Sequence, residues 1–187
     1  ASEQALRETV LHLDIHLHRI TLTRLANTAN LSRTDFTTVS ESGIFTLWDR
    51  WANVIANQFI QSSRYDPMHE AGSEQALYNQ LPGWITNLET SRSNSFNLDL
   101  DNISHSVAIS AEQLMAACTP LYPQIVQSIR NQVRGDETAT LLMSHRFRGF
   151  PGLKDSLNLL ENVDVVELTP EQAIQGALTH AEKIIPG

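Results

Sequence analysis

The amino-acid sequence predicts an α/β protein with a mixed sheet and helices on its faces. In residues 9–16 the apolar residues Leu11, Leu13 and Ile15 fall at odd positions, and in residues 19–26 Ile20 and Leu22 fall at even ones. A strand cannot change its buried face without a turn, so the two segments are predicted to form a hairpin. Residues 34–40 are rich in β-forming side chains and predict a third strand, while short apolar strands are predicted at 139–143 and 163–166.

Two helices are predicted to follow the third strand. Ser42 is in position to cap the first of them. Its apolar face consists of Ile44, Leu47, Trp48, Trp51, Val54, Ile55 and Phe59. The second helix is predicted to begin at Asp66-Pro67 and to end at Pro82-Gly83, because an internal proline removes a backbone donor and clashes with the preceding turn.

The remaining elements are predicted from turn and capping signals. Residues 95–101 and 106–109 alternate in polarity and indicate a second hairpin. Ser110 and Gln113 have the spacing of a capping box, which begins a helix that extends to about residue 133. Prolines at positions 120 and 123 are expected to divide that helix, and Thr169, Pro170 and Gln172 are expected to begin a last one.

Composition excludes several classes of function. The 187 residues, 41% hydrophobic and 18% charged, are expected to form a single domain (1–187) that belongs to a longer chain. A net charge of −8 without a basic run argues against nucleic-acid binding, and no apolar run is long enough for a membrane span. The one cysteine, Cys118, precludes an internal disulfide and suits a cytoplasmic protein.

Segments near the start and in the last third of the sequence carry motifs of a known family. Residues 139–143 are followed by the turn Pro151-Gly152-Leu153, a short helix, a strand, and a helix that begins at Thr169 with the sequence TPEQA. This succession resembles the close of an actin-like ATPase domain such as that of the Hsp70 chaperones. The segment from Leu11 to Ile15, with Asp14, resembles the strand that opens the same domain. The resemblance implies a ribonuclease-H-like fold and part of an Hsp70-like, chaperone-related protein.

The resemblance also implies a site for ATP or ADP with magnesium. Its residues would be Asp14, His16, His18, Ser144, His145, Arg146 and Arg148. The family places glycines after the aspartate and before the PGL turn, whereas here only Gly149 remains. We therefore expect a degenerate, weak nucleotide site that a companion actin-like domain completes. The isolated chain is expected to be inactive as an ATPase, with the two arginines contacting phosphates in place of lost backbone donors.

Two alternatives remain open at this point. The first is a scaffold that keeps the actin-like fold and binds a protein partner instead of a nucleotide. The second is a metal-binding protein, because His12, Asp14, His16 and His18 would share one face of an unbroken strand and could bind zinc, iron or nickel. The predicted turn at residues 16–19 argues against the metal site, since a turn would separate these ligands.

Overall fold

The computed structural model describes residues 6–28, 31–88, 91, 93–100, 103–172 and 175. Its strands are β1 (Thr9–Ile15), β2 (Arg19–Asn27), β3 (Leu31–Ser40), β4 (Ser93–Leu100), β5 (Ile103–Ser110), β6 (Ala139–Met143) and β7 (Val163–Glu167). Its helices are α1 (Ile44–Ser63), α2 (Ala71–Leu88), α3 (Ala111–Ala117), α4 (Tyr122–Gln132) and α5 (Leu153–Asn158). A 3-10 turn, His145–Phe147, follows β6.

The main sheet is mixed and has the order β3-β2-β1-β6-β7. β1 is antiparallel to β2 and parallel to β6, and its residue Leu13 lies between Leu22 and Met143. The prediction of an α/β fold with a mixed sheet and helices is therefore confirmed. The odd-numbered apolar residues of β1 and the even-numbered ones of β2 are buried in the core, as the alternation predicted.

Helix α1 begins against the turn between β1 and β2. The N–H groups of Ile44 and Phe45 donate to the carbonyl oxygens of His16 and Leu17, at 2.9 and 3.2 Å. The prediction that Ser42 caps this helix is wrong, because Gly43 is the N-cap and the Ser42 hydroxyl donates to the Val39 carbonyl instead. Carbonyls of the turn thus satisfy helix donors that a capping side chain normally satisfies.

Helix α2 continues through Pro82, so the prediction that it ends there is also wrong. The apolar positions Leu77, Leu81, Trp84 and Leu88 follow a helical period across the proline and are all buried. Burial of these side chains on both sides of Pro82 outweighs the loss of one backbone hydrogen bond. The continuous helix carries Trp84 onto Phe96 of β4, where the two rings stack at 4.7 Å.

β4 and β5 form a separate two-stranded antiparallel sheet that covers the helices. The second predicted hairpin is confirmed, and its connecting residues 101–102 lie outside the described residues. The Ser110–Gln113 capping box is present, and the prolines divide the helix into α3 and α4 as predicted. The Cys118 thiol between them is buried, and burial raises its pKa.

The C-terminal elements follow the predicted order. β6 has the predicted bounds, α5 follows the PGL turn, and Gly152 in that turn has a positive φ of 73°. Thr169 and Gln172 bond reciprocally as a capping box. Most of the predicted last helix lies outside the described residues. In the part of the chain that the structure describes, no helix combines the length and apolarity needed to cross a bilayer.

A polar network joins β2 to the end of α4. The Arg24 guanidinium donates to Glu137 Oε1 at 2.7 Å, to Thr9 Oγ1 at 3.1 Å and to the Gln132 carbonyl. The Gln132 amide in turn donates to Asp35 Oδ2 of β3 at 2.9 Å. The side chains of Arg24 and Glu137 are only 13% and 27% exposed, so their charges are partly removed from water.

This network is expected to make the stability of the protein depend on pH in the acid range. The Arg24 guanidinium and the hydrogen bond from Thr9 lower the pKa of Glu137 to about 2. A depressed carboxyl pKa contributes stability that is present above the ordinary value near 4.5 and is lost as the pH falls toward 2. We expect the free energy of unfolding in urea to fall by about 1–2 kcal/mol between pH 5 and pH 3, after allowance for solvent screening.

Glu137→Gln should flatten this pH dependence, whereas Glu161→Gln, at an exposed position, should leave it unchanged. An equally steep fall in the Glu137→Gln protein would show that other carboxyl groups cause the acid sensitivity.

Candidate functional site

The C-terminal ends of β1 and β6 bring Asp14 and Arg146 together. Parallel pairing continues past Met143, where the Ser144 N–H donates to the Leu13 carbonyl at 2.9 Å. The Ser144 hydroxyl accepts the Arg146 N–H at 3.4 Å and holds the first bend of the 3-10 turn. The Arg146 guanidinium then reaches back over β1 and donates to Asp14 Oδ2 at 3.2 Å and to the Ile15 carbonyl at 3.4 Å.

Both oxygens of the Asp14 carboxylate have partners within the chain. Oδ1 accepts the Ile15 N–H at 2.9 Å, and Oδ2 accepts the Arg146 guanidinium. His16 Nε2 lies 3.9 Å from Oδ2 and 3.3 Å from Thr21 Oγ1. The Asp14 side chain is only 17% exposed, so its charge is balanced by Arg146 in a partly buried position. A carboxylate arranged in this way is a poor fit for magnesium, because the Arg146 guanidinium 3.2 Å from Oδ2 would repel a divalent cation at that oxygen.

A cavity of about 880 Å³, here called the turn cleft, opens beside this ion pair. Its lining residues are Ile15, His16, Leu17, His18, Arg19, Ser40, Glu41, Ile44 and Arg146. Arg19 and Arg146 contribute fixed positive charges, while Glu41 is the acidic residue of the lining. Asp14 balances the charge of Arg146, so the cleft favours an anionic ligand through its two guanidinium donors rather than through a net positive charge.

The β1–β2 turn, residues 16–18, presents backbone donors as well. The His16 N–H donates to the Arg19 carbonyl at 2.8 Å and closes the turn. The N–H groups of Leu17 and His18 have no acceptor among residues 6–28, 31–88 and 103–172. Outside glycine, positive φ angles occur in the described residues only at Glu41 and Arg64, so this turn forms without the glycines that the family places there.

His12 lies on the same face of β1 as Asp14 and is half-buried. Burial lowers the pKa of His12, and the Asp14 carboxylate opposes that effect. We therefore expect a neutral imidazole at pH 7. The strand ends at Ile15, which places His16 and His18 in the turn rather than on the strand. The described residues hold no group of three or more histidine, cysteine or carboxylate side chains arranged to bind a metal.

Two predicted site residues lie elsewhere. His145 begins the 3-10 turn and is not part of the lining of the turn cleft. Arg148 lines a separate cavity of about 360 Å³ together with Lys154 and Glu167. Of the predicted site residues, His16, His18 and Arg146 thus line the turn cleft, Asp14 and Ser144 are hydrogen-bonded to Arg146, and His145 and Arg148 do neither.

Sequence reasoning missed three residues of this region. Arg19 and Glu41 line the turn cleft from the ends of β2 and β3, and Phe45 lies at its rim on the first turn of α1. The available signal was Gly43, because a glycine directly before an amphipathic helix indicates a close backbone approach. That approach is to the β1–β2 turn, where a Cβ on Gly43 would lie 2.3 Å from the His18 Cα.

Comparison with protein-family models gives no match for this chain, and a search of curated protein sequences likewise returns none.

Proposed function

We propose that this chain is a ribonuclease-H-like domain of the actin and Hsp70 type that binds nucleotide phosphates weakly and does not hydrolyse them alone. The observation that carries the proposal is the Arg146 guanidinium, bonded to Asp14 Oδ2 and the Ile15 carbonyl at the turn cleft. A companion domain would complete the site, as in the proteins that the sequence motifs resemble.

The strand arrangement supports the fold part of the proposal. Three sequential antiparallel strands are followed by two strands that add in parallel on the other side of β1. A ribonuclease-H-like unit opens with three antiparallel strands and a helix, and the aspartate of β1 and the PGL turn are the motifs on which the resemblance rests. The turn cleft lies at the carboxyl ends of β1 and β6, the edge where ligands of α/β sheets bind.

The donors at the cleft support binding of a phosphate group. Arginine binds phosphate through charge-assisted hydrogen bonds, and adjacent backbone N–H groups form an anion-binding concavity. Arg146 is half-exposed and is fixed at one end by Asp14, so it can donate further bonds into the cleft. Arg19 also lines this cleft, as do Leu17 and His18, the two turn residues whose N–H groups have no acceptor among residues 6–28, 31–88 and 103–172.

The state of Asp14 argues against hydrolysis by this chain alone. Phosphoryl transfer relies on metal ions that bridge phosphate oxygens and neutralise developing charge. Asp14 already accepts hydrogen bonds at both oxygens, and its charge is matched by Arg146 rather than by a metal. Nucleotide affinity should accordingly be similar with and without magnesium.

Thermal unfolding with ATP, ADP or tripolyphosphate, each with magnesium or with a chelator, tests the proposal. Ligand at 100 times its dissociation constant stabilises a protein by about 2.7 kcal/mol, and a domain of this size shifts by about 2–4 °C per kcal/mol. We expect a rise with each polyphosphate that persists in the chelator. Arg146→Gln should weaken binding about 10-fold, since a hydrogen bond to a charged group contributes about 1.5–3 kcal/mol.

Arg148→Gln is the matched control, because it removes the same charge two residues away and outside the turn cleft. The affinity of this variant for each polyphosphate should equal that of the unaltered protein. Equal losses in both variants would indicate nonspecific attraction of anions. No shift with any polyphosphate would favour the scaffold, in which the fold remains and a protein partner replaces the nucleotide.

A further inference from the structure

An exposed pair of rings lies at the rim of the turn cleft. Phe45, on the first turn of α1, is 44% exposed, and its ring centroid lies 5.5 Å from that of His18 at an interplanar angle of 45°. His18 itself lines the turn cleft together with Arg146. The ring pair is therefore joined to the lining of the cavity through His18.

The position of Phe45 is fixed from two sides. Its backbone N–H donates to the Leu17 carbonyl at 3.2 Å, and its ring packs edge-on against Trp48 with centroids 6.4 Å apart. A ring held in this way loses little conformational freedom when a ligand stacks on its free face. Exposed aromatic rings that are rigid in this sense are good stacking surfaces for planar ligands.

The cleft and its rim therefore offer two chemically different kinds of group. Arg146 and Arg19 offer cationic donors in the lining, while His18, also in the lining, offers a ring that contacts Phe45. The cleft volume of about 880 Å³ lies in the upper part of the range of about 300–1,000 Å³ typical of small-molecule sites. A simple phosphate would use only the cationic donors and an apolar ligand only the rings, whereas a nucleoside phosphate uses both.

We propose that the base of the bound nucleotide stacks on His18 and Phe45, at the N-terminal end of α1, while its phosphates contact Arg146. This inference rests on the phosphate site proposed above and adds the orientation of the ligand. The base would lie beside the β1–β2 turn rather than beside Gly149 and the PGL turn, where the resemblance to actin-like proteins would place the adenosine.

Calorimetric titration of ATP and of tripolyphosphate into the full chain separates the base from the phosphates. The unaltered protein should bind ATP about 10-fold more tightly than tripolyphosphate, a difference within the range that base stacking supplies. Phe45→Ala and Phe45→Leu should each remove that difference and leave the affinity for tripolyphosphate unchanged. Leucine keeps an apolar side chain but has no π-face, so it distinguishes stacking from a general apolar contact.

Ile60→Ala is the matched control, since Ile60 is a 40% exposed apolar residue at the other end of α1. It should leave both affinities unchanged. Equal affinity of the unaltered protein for the two ligands would overturn the proposed stacking of the base on His18 and Phe45, while the phosphate site stands. Full retention of ATP affinity in Phe45→Leu, or loss of both ligands in the Phe45 variants, would also overturn it. Failure of the unaltered protein to bind either ligand would overturn the phosphate site and, with it, the proposed base stacking.

Discussion

Gly43→Ala is expected to destabilise the protein by about 3 kcal/mol, the upper part of the range for an overpacked site. An added Cβ would lie 2.3 Å from both the His18 Cα and the Leu17 carbonyl oxygen. Both are backbone atoms, so no side-chain rotation relieves the contact. The φ of Gly43 is −71°, a value that alanine adopts freely, and the loss is therefore steric rather than conformational. Urea unfolding monitored by circular dichroism measures this loss of stability.

Gly83→Ala provides the matched control. Gly83 lies inside α2, and a Cβ there meets no atom within 4 Å. Because alanine favours a helix interior over glycine by about 1 kcal/mol, this substitution should be neutral or stabilising. A Gly43→Ala protein as stable as the unaltered one would contradict the close approach of α1 to the β1–β2 turn.

Arg24→Met is expected to lower the free energy of unfolding by about 2–3 kcal/mol. The guanidinium connects Glu137, Thr9 and the last turn of α4, and methionine keeps most of its aliphatic volume without any donor. Removing one partner of a partly buried pair leaves the other charge without compensation, which is more costly than losing the interaction itself. Urea unfolding at pH 7 is again the measurement.

Arg7→Met is the corresponding surface control. Arg7 Nε donates to Asp164 Oδ2 at 2.9 Å, and both side chains are about half-exposed. Exposed ion pairs contribute little, so we expect a change below about 0.5 kcal/mol. Similar effects of the two substitutions would mean that the Arg24 network contributes no more than a surface ion pair.

Much of the secondary structure was predictable because local rules and burial agree. The change of apolar face between β1 and β2 required a turn, and the structure has it at residues 16–18. The Ser110 capping box and the division of the helix into α3 and α4 depend on hydrogen bonds within a few residues. The same argument explains β6, whose short apolar run is buried between two neighbours in the sheet.

The wrong predictions of secondary structure arose where contacts with residues distant in the sequence determine the local conformation. Pro82 remains helical because core side chains lie on both sides of it. Ser42 does not cap α1, because carbonyls of the β1–β2 turn already accept the N–H groups at the start of that helix. The site shows the same limit. Asp14 and Arg146 meet through the parallel register of β1 and β6, which no local pattern contains, and the exposure of Phe45 depends on the path of the turn.

The central position of β1 has a consequence for the order of folding. Its antiparallel neighbour β2 follows directly in the chain, whereas its parallel neighbour β6 begins only at Ala139. During synthesis, the β1–β2–β3 meander and α1 can therefore form while the other edge of β1 still has open backbone donors and acceptors. Such an edge promotes association with other chains until its partner arrives, because contacts between distant segments form late. The meeting of Asp14 and Arg146 must therefore await synthesis of β6 and the turn after it, and completion of the sheet must await β7.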